Sequence, residues 1–508
     1  MGDTPLSRHL IFGSGYPAGE SQTEPALVHL PTCHFAHDHF IGKTGHGKSS
    51  LIASLFVQLL AQGVSTALVE PAALVRHILK LLIQTGYFAA EGAAAFDQLL
   101  YLPIGTAAKR GLFLPANVLN MGYDPHTTVA TVLEAFRRAW PPLQSGTASN
   151  IELLIKACAY VLAVHQLPLF PYMRLLLTNQ AARDRLLSTI TDEEIQSAFA
   201  LYGLRRDGEV RADMRPTIRR LLSFLLSPLM RYSFGQQGNV LDVRRIIDTN
   251  QSVLLNLNVS DLDAMRMLGC FYTVFAELAG RARREADAQE LTGRHILFLD
   301  EFQNWVAHSG LAFRTMFEQM RAAGMFLVVA HQDWEQVPAA LRGALNQCDI
   351  RVVFHLDEPD AVISAPVLGF PYNPYKAKPA LINPLRPFPV TPHFYSRSEQ
   401  QTMYVERITR LARQEAYVQL PNRPLSMMRS LQVDPPRVPD EVLEEVHQQY
   451  FARYFRSKEV IEVEIKNKMN ELGISNMADD TINTVEDEAL IGDDGAQDEE
   501  DFYGQFSD

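Results

Sequence analysis

Buried-strand runs alternate with amphipathic stretches at both ends of the globular part of this chain, and a purely helical pattern lies between them. Residues 26–30, 64–69, 99–102 and 112–119 read as strands, and residues 51–60 as an apolar helical stretch. That βαβ alternation predicts a parallel sheet. From about residue 123 to 234 strand-like runs vanish. Residues 129–140, 151–165, 183–190, 193–201 and 215–229 read as amphipathic helices separated by Pro, Gly or Ser-Thr-Asp breaks. A crossover needs only about a dozen residues, so roughly a hundred helical residues amount to a domain inserted into the α/β unit.

The α/β pattern then resumes. Residues 252–257 are strand-like, 261–284 a long helix, and 295–299 a buried strand ending in Asp300-Glu301. A helix over 312–323 leads to a strand over 325–330 that ends in His331-Gln332, then to a helix over 341–346, a strand over 350–354 and a helix over 360–368. Beyond Phe370 seven prolines mark a long ordered connection without new sheet. Residues 398–414 read as a helix, 416–420 as a short edge strand and 421–439 as a linker. Residues 440–472 read as one helix with a stripe of Val442, Val446, Tyr450 and Tyr454, suited to a neighbouring subunit or to the chain's own body.

Composition adds limits. The 508 residues are 47% hydrophobic and 20% charged, which is globular and large enough for more than one domain. Apolar stretches at 155–170 and 268–279 are interrupted by Lys156, His165 and Pro168 or end short of the ~20 residues that a membrane span needs. No apolar leader opens the chain, and Leu6 breaks the myristoylation pattern, so a cytoplasmic location is expected. The four cysteines are far apart and form no disulfide framework. Cys33, His34, His37 and His39 cluster locally, but their spacing matches no established zinc pattern. The net charge of −12 is a property of the tail: residues 479–508 hold 12 of the 58 acidic residues and no Lys or Arg, leaving 46 acidic against 46 basic in the body. That tail should be disordered, and it either solubilises the chain, mimics nucleic acid, or docks a basic protein partner through Phe502, Tyr503 and Phe506.

The chemistry is carried by residues 42–49, which fit G-x-x-x-x-G-K-[ST] at every fixed position. Such a loop turns consecutive N–H groups toward phosphate oxygens, and the helix behind it adds partial positive charge. Gly42, Lys43, Thr44, Gly45, His46, Gly47, Lys48, Ser49 and Ser50 are therefore the candidate nucleotide-binding residues. Lys48 would reach the β/γ-phosphates and Ser49 would ligate Mg²⁺, while His46 offers mainly its backbone N–H. An apolar strand ending in Asp300-Glu301 supplies the acidic half: Asp300 would hold Mg²⁺ through water, and Glu301 would orient or deprotonate the attacking water. Gln332 would sense the γ-phosphate or position water, with local capping as its alternative role.

These motifs resemble the FtsK/HerA superfamily of P-loop motors, and within it the conjugative coupling proteins of the VirD4/TraG kind. The resemblance is carried by His37 ahead of the phosphate loop, by Leu-Asp-Glu-Phe-Gln-Asn-Trp at 299–305, and by Gln-Met-Arg-Ala-Ala-Gly at 319–324 leading to Ala-His-Gln at 330–332. It spans about residues 26–420. It implies an α/β fold with a RecA-like P-loop NTPase core, a mainly parallel sheet and an inserted all-α domain. The expected division is a lead-in (1–25), a first core segment with the phosphate loop (26–122), the helical insert (123–235), a second core segment with the acidic strand end and the sensor (236–395), C-terminal helices with an edge strand (396–472) and the acidic tail (473–508). It also implies ATP and Mg²⁺ as ligands, a hexameric ring, and DNA threaded through its pore. Arg321 matches an arginine that would reach into the neighbour's site as a catalytic finger, with Arg351 as second choice. DNA contacts would include Arg205-Arg206 or Arg281, Arg283 and Arg284. Departures are the lack of a membrane hairpin and of an N-terminal barrel, and Glu70-Pro71-Ala72-Ala73 where many relatives have Asp-Pro-His-Gly. The expected function is an ATP-driven, ring-forming DNA translocase of a conjugative, mobile-element or defence system. The alternatives are a secretion ATPase acting on protein cargo and an ATP-switched scaffold.

Overall fold

The computed structural model describes residues 8–18, 24–140, 149–201, 215–223, 226–285, 293–305, 310–378, 393–431, 433 and 435–473. Its strands are β1 (His9–Pro17), β2 (Ala26–Pro31), β3 (Asp38–Ile41), β4 (Ser65–Glu70), β5 (Leu99–Pro103), β6 (Leu112–Phe113), β7 (Ser252–Asn256), β8 (His295–Asp300), β9 (Met325–His331), β10 (Ile350–Val353), β11 (Glu415–Gln419), β12 (Ser426–Ser430) and β13 (Arg456–Ser457).

All but β6 and β13 form one 11-stranded sheet in the order β2-β1-β12-β11-β10-β3-β9-β8-β4-β7-β5. From β10 to β5 every neighbouring pair is parallel. From β10 to β2 every pair is antiparallel. The fold is therefore α/β with a mostly parallel central sheet. β3 enters the phosphate loop and β8 carries Asp300, with β9 hydrogen-bonded between them, which is a RecA-like arrangement.

Burial explains the composition of the central strands. β4, β8 and β9 are buried along their entire length because helices cover both faces. Alternate residues of β8 serve different cores. Leu297 and Leu299 join the core shared with the helical insert, whereas Ile296 and Phe298 join the core beneath the helix Lys48–Ala61.

Between β6 and β7 the described chain is helical, including Pro125–Ala139, Ser149–Val164, Gln180–Leu187 and Glu193–Leu201. The first of these lies on the long helix Leu262–Glu285. Arg138 there is buried in a bidentate pair with Glu277 of the long helix, at 2.5 and 3.0 Å.

Several expectations change. Residues 415–419 are an interior strand, because residues 426–430 inside the expected linker form β12 and close the antiparallel half of the sheet. The expected lead-in contributes β1, which pairs with β12. Of residues 112–119 only β6 is strand, and it pairs with β13 instead of joining the main sheet. That pairing also splits the expected helix over 440–472 into Asp440–Tyr454 and Lys458–Glu471. Ser457 caps the second helix through its side chain, and Lys458 N–H donates to the Gly111 carbonyl at 2.9 Å. The aromatic stripe of the first faces its own body: Tyr450 and Tyr454 donate to the Leu99 and Phe96 carbonyls, each at 2.7 Å. All four cysteines are free. No helix among the described residues is long and apolar enough to cross a membrane. The acidic tail beyond residue 473 lies outside the described residues, as do Arg205 and Arg206.

Candidate nucleotide site

The two strands flanking β3 hold the start of the phosphate loop. Gly42 N–H donates to the His331 carbonyl at 3.3 Å, and Lys43 N–H to the His355 carbonyl at 3.1 Å. A Cβ on Gly42 would stand 2.5 Å from Phe354 Cβ, so that approach admits no side chain. Gly47 ends the loop at φ 116°, a left-handed conformation, and is the N-cap of the helix Lys48–Ala61. The first N–H groups of that helix have no intrahelical acceptors and are available to an anion.

A cavity of about 430 Å³ opens over the loop. Lys43, Thr44, Gly45, Gly47, Lys48, Ser49 and Ser50 line one side, and Asp300, Glu301 and Gln332 line the other. Gly42 and His46 stand behind the lining. His46 does more than offer a backbone N–H: that group donates to the Lys43 carbonyl at 3.3 Å, and the ring stacks on His355 with centroids 4.3 Å apart.

The acidic pair and the loop are wired together. Lys48 Nζ lies 3.4 Å from Glu301 Oε1 and 3.7 Å from Asp300 Oδ1. Gln332 Nε2 donates to Glu301 Oε1 at 2.8 Å, while its Oε1 accepts from Thr44 Oγ1 at 2.7 Å. Gln303 Nε2 donates to Glu301 Oε2 at 3.0 Å. Glu301 itself has φ 51°, a left-handed conformation that costs a non-glycine residue free energy and occurs often at functional sites. Sequence reading left Gln332 between sensor and cap; its amide joins the loop to the acidic strand end.

Asp300 is buried, and its Oδ1 has no hydrogen-bond partner. Burial pushes its carboxyl up to about 6; Lys48 opposes the shift, and Glu301 and Glu70 add to it. An orphaned buried carboxylate oxygen lining the same cavity as the exposed Ser49 suits a divalent cation, whose charge would offset that burial.

Behind Gln332, His331 Nδ1 faces the Asp333 carbonyl at 2.7 Å, and its Nε2 meets His39 Nε2 at 2.8 Å. The carbonyl requires a proton on His331 Nδ1, so His331 Nε2 accepts and His39 Nε2–H donates. Burial holds both rings below the ordinary histidine range, His331 at about 4. His37 is likewise a buried structural group: its Nδ1 accepts from Leu327 N–H, and its Nε2 meets the Phe317 carbonyl, each at 2.9 Å. Among the described residues no cluster of three or more His, Cys, Asp or Glu is placed to hold a metal.

The candidate arginines lie apart from this cavity. Arg321 is half exposed and ion-paired with Asp349. Arg351 donates from Nη2 to the Asn346 carbonyl at 2.8 Å. Arg281 donates to Gln319, and Arg284 is exposed. Arg283 is buried and donates to the Gly293 carbonyl, so it presents no charge to a polymer.

Sequence reading missed Arg413 and Gln414, which line the cavity from the turn before β11. Arg413 Nε donates to the Gly45 carbonyl at 3.0 Å, and Gln414 N–H to the His46 carbonyl at 2.8 Å. It also gave Glu70 no role. The Glu70 carboxylate accepts from Ala72, Leu74 and Val75 N–H at 2.7, 3.0 and 3.3 Å and from Asn256 Nδ2 at 3.0 Å. It thereby fixes the Pro71-Ala72 turn that borders the cavity.

No family model and no curated protein matches the chain. Among solved structures it is similar to the bacterial conjugative coupling protein TrwBdeltaN70 in its unbound form, with 15% identity and a TM-score of 0.47 over 79% of this chain and 87% of that one. The complex of TrwB with ADP and Mg²⁺ matches at 14% identity and 0.47 over the same shares. VirB4 of Thermoanaerobacter pseudethanolicus matches at 12% identity and 0.43, over 84% of this chain and 97% of that one.

Proposed function

We propose that the chain hydrolyses ATP and uses the energy to move DNA, as a ring-forming motor of the conjugative coupling-protein kind. The observation that carries the hydrolytic part is the Gln332 amide bridging Thr44 of the phosphate loop and Glu301 at the strand end, with Lys48 held beside the same carboxylate. A base, a sensor and a phosphate-binding lysine in one cavity fit attack of water on a γ-phosphate better than phosphorylation of a second substrate.

In the cycle, Lys48 leaves the two carboxylates for the β- and γ-phosphate oxygens of ATP. Glu301, relieved of that ion pair, orients the attacking water and takes its proton as the bond from the γ-phosphorus to the ADP oxygen breaks. Ser49 and Asp300 would hold Mg²⁺, which when bound neutralises phosphate charge. Gln332 registers the γ-phosphate through its paired contacts to Thr44 and Glu301.

The DNA-moving part is supported by the motifs at 299–305 and 319–332. Arg321, exposed and away from its own cavity, is assigned to the neighbouring subunit's γ-phosphate. The assembly is a cytoplasmic homo-oligomeric ring, hexameric by the same resemblance, whose acidic tail is left for a protein partner.

The test is phosphate release by the purified chain with and without DNA, together with particle size in a non-hydrolysable ATP analogue. Stimulation by DNA that Lys48→Ala abolishes, with rings intact, is expected. Turnover indifferent to DNA indicates protein cargo, nucleotide binding without turnover indicates a scaffold, and a strict monomer overturns the ring.

A further inference from the structure

A second cavity, of about 470 Å³, lies on the far side of the turn that borders the nucleotide site, and Ala72 stands in the lining of both. It opens beyond the C-terminal ends of β4, β5 and β7, the edge at which α/β sheets place their ligands. Four segments wall it: the start of the helix Leu74–Gln84, the helix Ile104–Ala108 with the two residues after it, the end of β7 with Asn258, and the helix Asp440–Tyr454. No step of the proposed hydrolysis uses it.

The walls are tied together. Arg110 holds Glu444 through two hydrogen bonds, at 2.5 and 2.8 Å, and its guanidinium lies over the Phe451 ring. The Tyr101 hydroxyl meets His447 Nε2 at 3.1 Å, and the two rings stack. His447 is buried, and burial keeps its ring below the ordinary histidine range, so near neutral pH the floor is polar and uncharged.

Charge of both signs is left open on those walls. Among the described residues Arg76, Lys109 and Asp440, which all line the cavity, form no ion pair. Glu444 already meets the charge of Arg110, so Arg76 and Lys109 are the cations left for a ligand. Asp440 lies in the first turn of its own helix, where the free N–H groups favour a negative charge. Asn256 spends both amide hydrogens inward, on Glu70 Oε2 at 3.0 Å and on the Ala72 carbonyl at 2.9 Å, which leaves its oxygen as the group a ligand can use. Two unpaired cations match a phosphate group, and a carboxylate with an amide oxygen matches hydroxyl donors. A phosphate ester with free hydroxyls carries both kinds of group in one small molecule. A nucleic-acid backbone needs an open groove to run along, which four walls do not give.

We propose that this cavity is an effector site for a small hydroxylated phosphate ester, with Arg76 and Lys109 on the phosphate and Asp440 and Asn256 on the hydroxyls. Its effect on the nucleotide passes through the Pro71-Ala72 turn, because Asn256 holds both Glu70 and the Ala72 carbonyl and the same turn borders the nucleotide cavity. That effect rests on the ATP-hydrolysing reading above, whereas the binding does not.

The test uses the full chain with ribose 5-phosphate as the probe, ribose and inorganic phosphate as its two halves, and a saturating non-hydrolysable ATP analogue to occupy the phosphate loop. Titration calorimetry should show ribose 5-phosphate binding about tenfold or more tightly than either half. Arg76→Ala with Lys109→Ala should lose that binding, with the melting temperature and the affinity for the ATP analogue alone unchanged. Asp440→Asn should weaken ribose 5-phosphate and leave inorganic phosphate as it was. Ribose 5-phosphate should shift the affinity for the ATP analogue by about fivefold, and by linkage the analogue should shift ribose 5-phosphate by the same factor. No binding of ribose 5-phosphate, binding that survives the double variant, or binding no tighter than that of inorganic phosphate overturns the site. Binding without a shift in the affinity for the ATP analogue overturns the effector role. An oligothymidylate bound by the wild type and lost in the double variant, with no ribose 5-phosphate binding, assigns the two cations to a nucleic-acid backbone and overturns the proposal. If the ATP analogue itself does not bind, the ATP-hydrolysing reading fails, and the comparison of wild type with the double variant still decides the site.

Discussion

Gln332 Nε2 donates to Glu301 Oε1 at 2.8 Å, and the same carboxylate oxygen lies 3.4 Å from Lys48 Nζ. Glu301 is thus held by both groups that must release it before it can serve a water molecule. Replacing Glu301 with Gln preserves the shape and removes the base. Turnover should fall by about a hundredfold or more, while nucleotide affinity holds or rises because Lys48 no longer has that carboxylate to leave. Phosphate-release assays and titration with a fluorescent ATP analogue measure the two separately. An unchanged rate would remove Glu301 from the chemistry.

The bridge itself gives a graded series. Gln332→Ala removes one hydrogen bond to a charged group and one to Thr44, so turnover should drop by roughly tenfold. Gln332→Glu sets a second negative charge against Glu301 and should cost more than alanine does. The order of the two variants in single-turnover rates is the readout. A smaller loss in the glutamate variant than in the alanine variant would show that Gln332 acts on the loop and not on Glu301.

Glu70 stands in another region of the site and has another kind of consequence. Its buried carboxylate satisfies three backbone N–H groups and one side-chain amide. Glu70→Ala should leave those donors unpaired and destabilise the fold by about 2–3 kcal/mol, which chemical denaturation detects. Glu70→Gln, which keeps one acceptor oxygen for part of the set, should cost less. Equal losses in the two variants would mean that packing at this position, and not the carboxylate, holds the turn.

How far the sequence led can be judged from particular residues. The strand ending at Asp300 and the one ending at His331 were legible because both are buried on two faces and therefore carry an unbroken apolar run before the polar end. The phosphate loop was legible because its glycines are demanded by local geometry. Arg413 was not, since its contact with Gly45 joins residues 368 positions apart and belongs to no local pattern. β12 was hidden because Ser-Met-Met-Arg-Ser has weak strand composition and lies among prolines, and it becomes a strand only when β1 and β11 flank it. The break between the two C-terminal helices depends on a partner strand more than three hundred residues upstream, which periodicity cannot register. Arg283 looked available as a charge because helix periodicity alone does not reveal that the Gly293 carbonyl meets it.

His37 makes stability depend on pH. Burial lowers its ring from the ordinary 6.5 to about 4; the Phe317 carbonyl opposes that shift, and the charge on Arg321 adds to it. The folded state therefore prefers the neutral ring, whose Nδ1 must accept from Leu327 N–H. Because the folded value lies below the unfolded one, this contribution is complete above about pH 6.5 and is lost as pH falls toward 4. A lowering of that size corresponds to roughly 3 kcal/mol at most. Denaturation midpoints measured from about pH 7.5 down to about 5 should fall in the wild type. The fall should be shallower in His37→Asn, even though that variant starts less stable. Parallel curves would place the pH dependence elsewhere.

Arg413 lines the cavity with no motif behind it, and its chemistry separates two roles. Its Nε supports the loop at the Gly45 carbonyl, while its charge lies on the wall of a cavity shaped for phosphates. If the charge binds nucleotide, Arg413→Ala should weaken ATP by about tenfold, ADP by less, and the loss should shrink as salt rises. Arg413→Lys keeps the charge but loses the planar donor, and should recover some of the affinity. If Arg413 only props the loop, alanine should weaken ATP and ADP equally, lysine should recover nothing, and salt should make no difference. Isothermal titration with both nucleotides at two ionic strengths decides between these, because only a charge acting on the phosphates yields an ATP-selective, salt-sensitive loss.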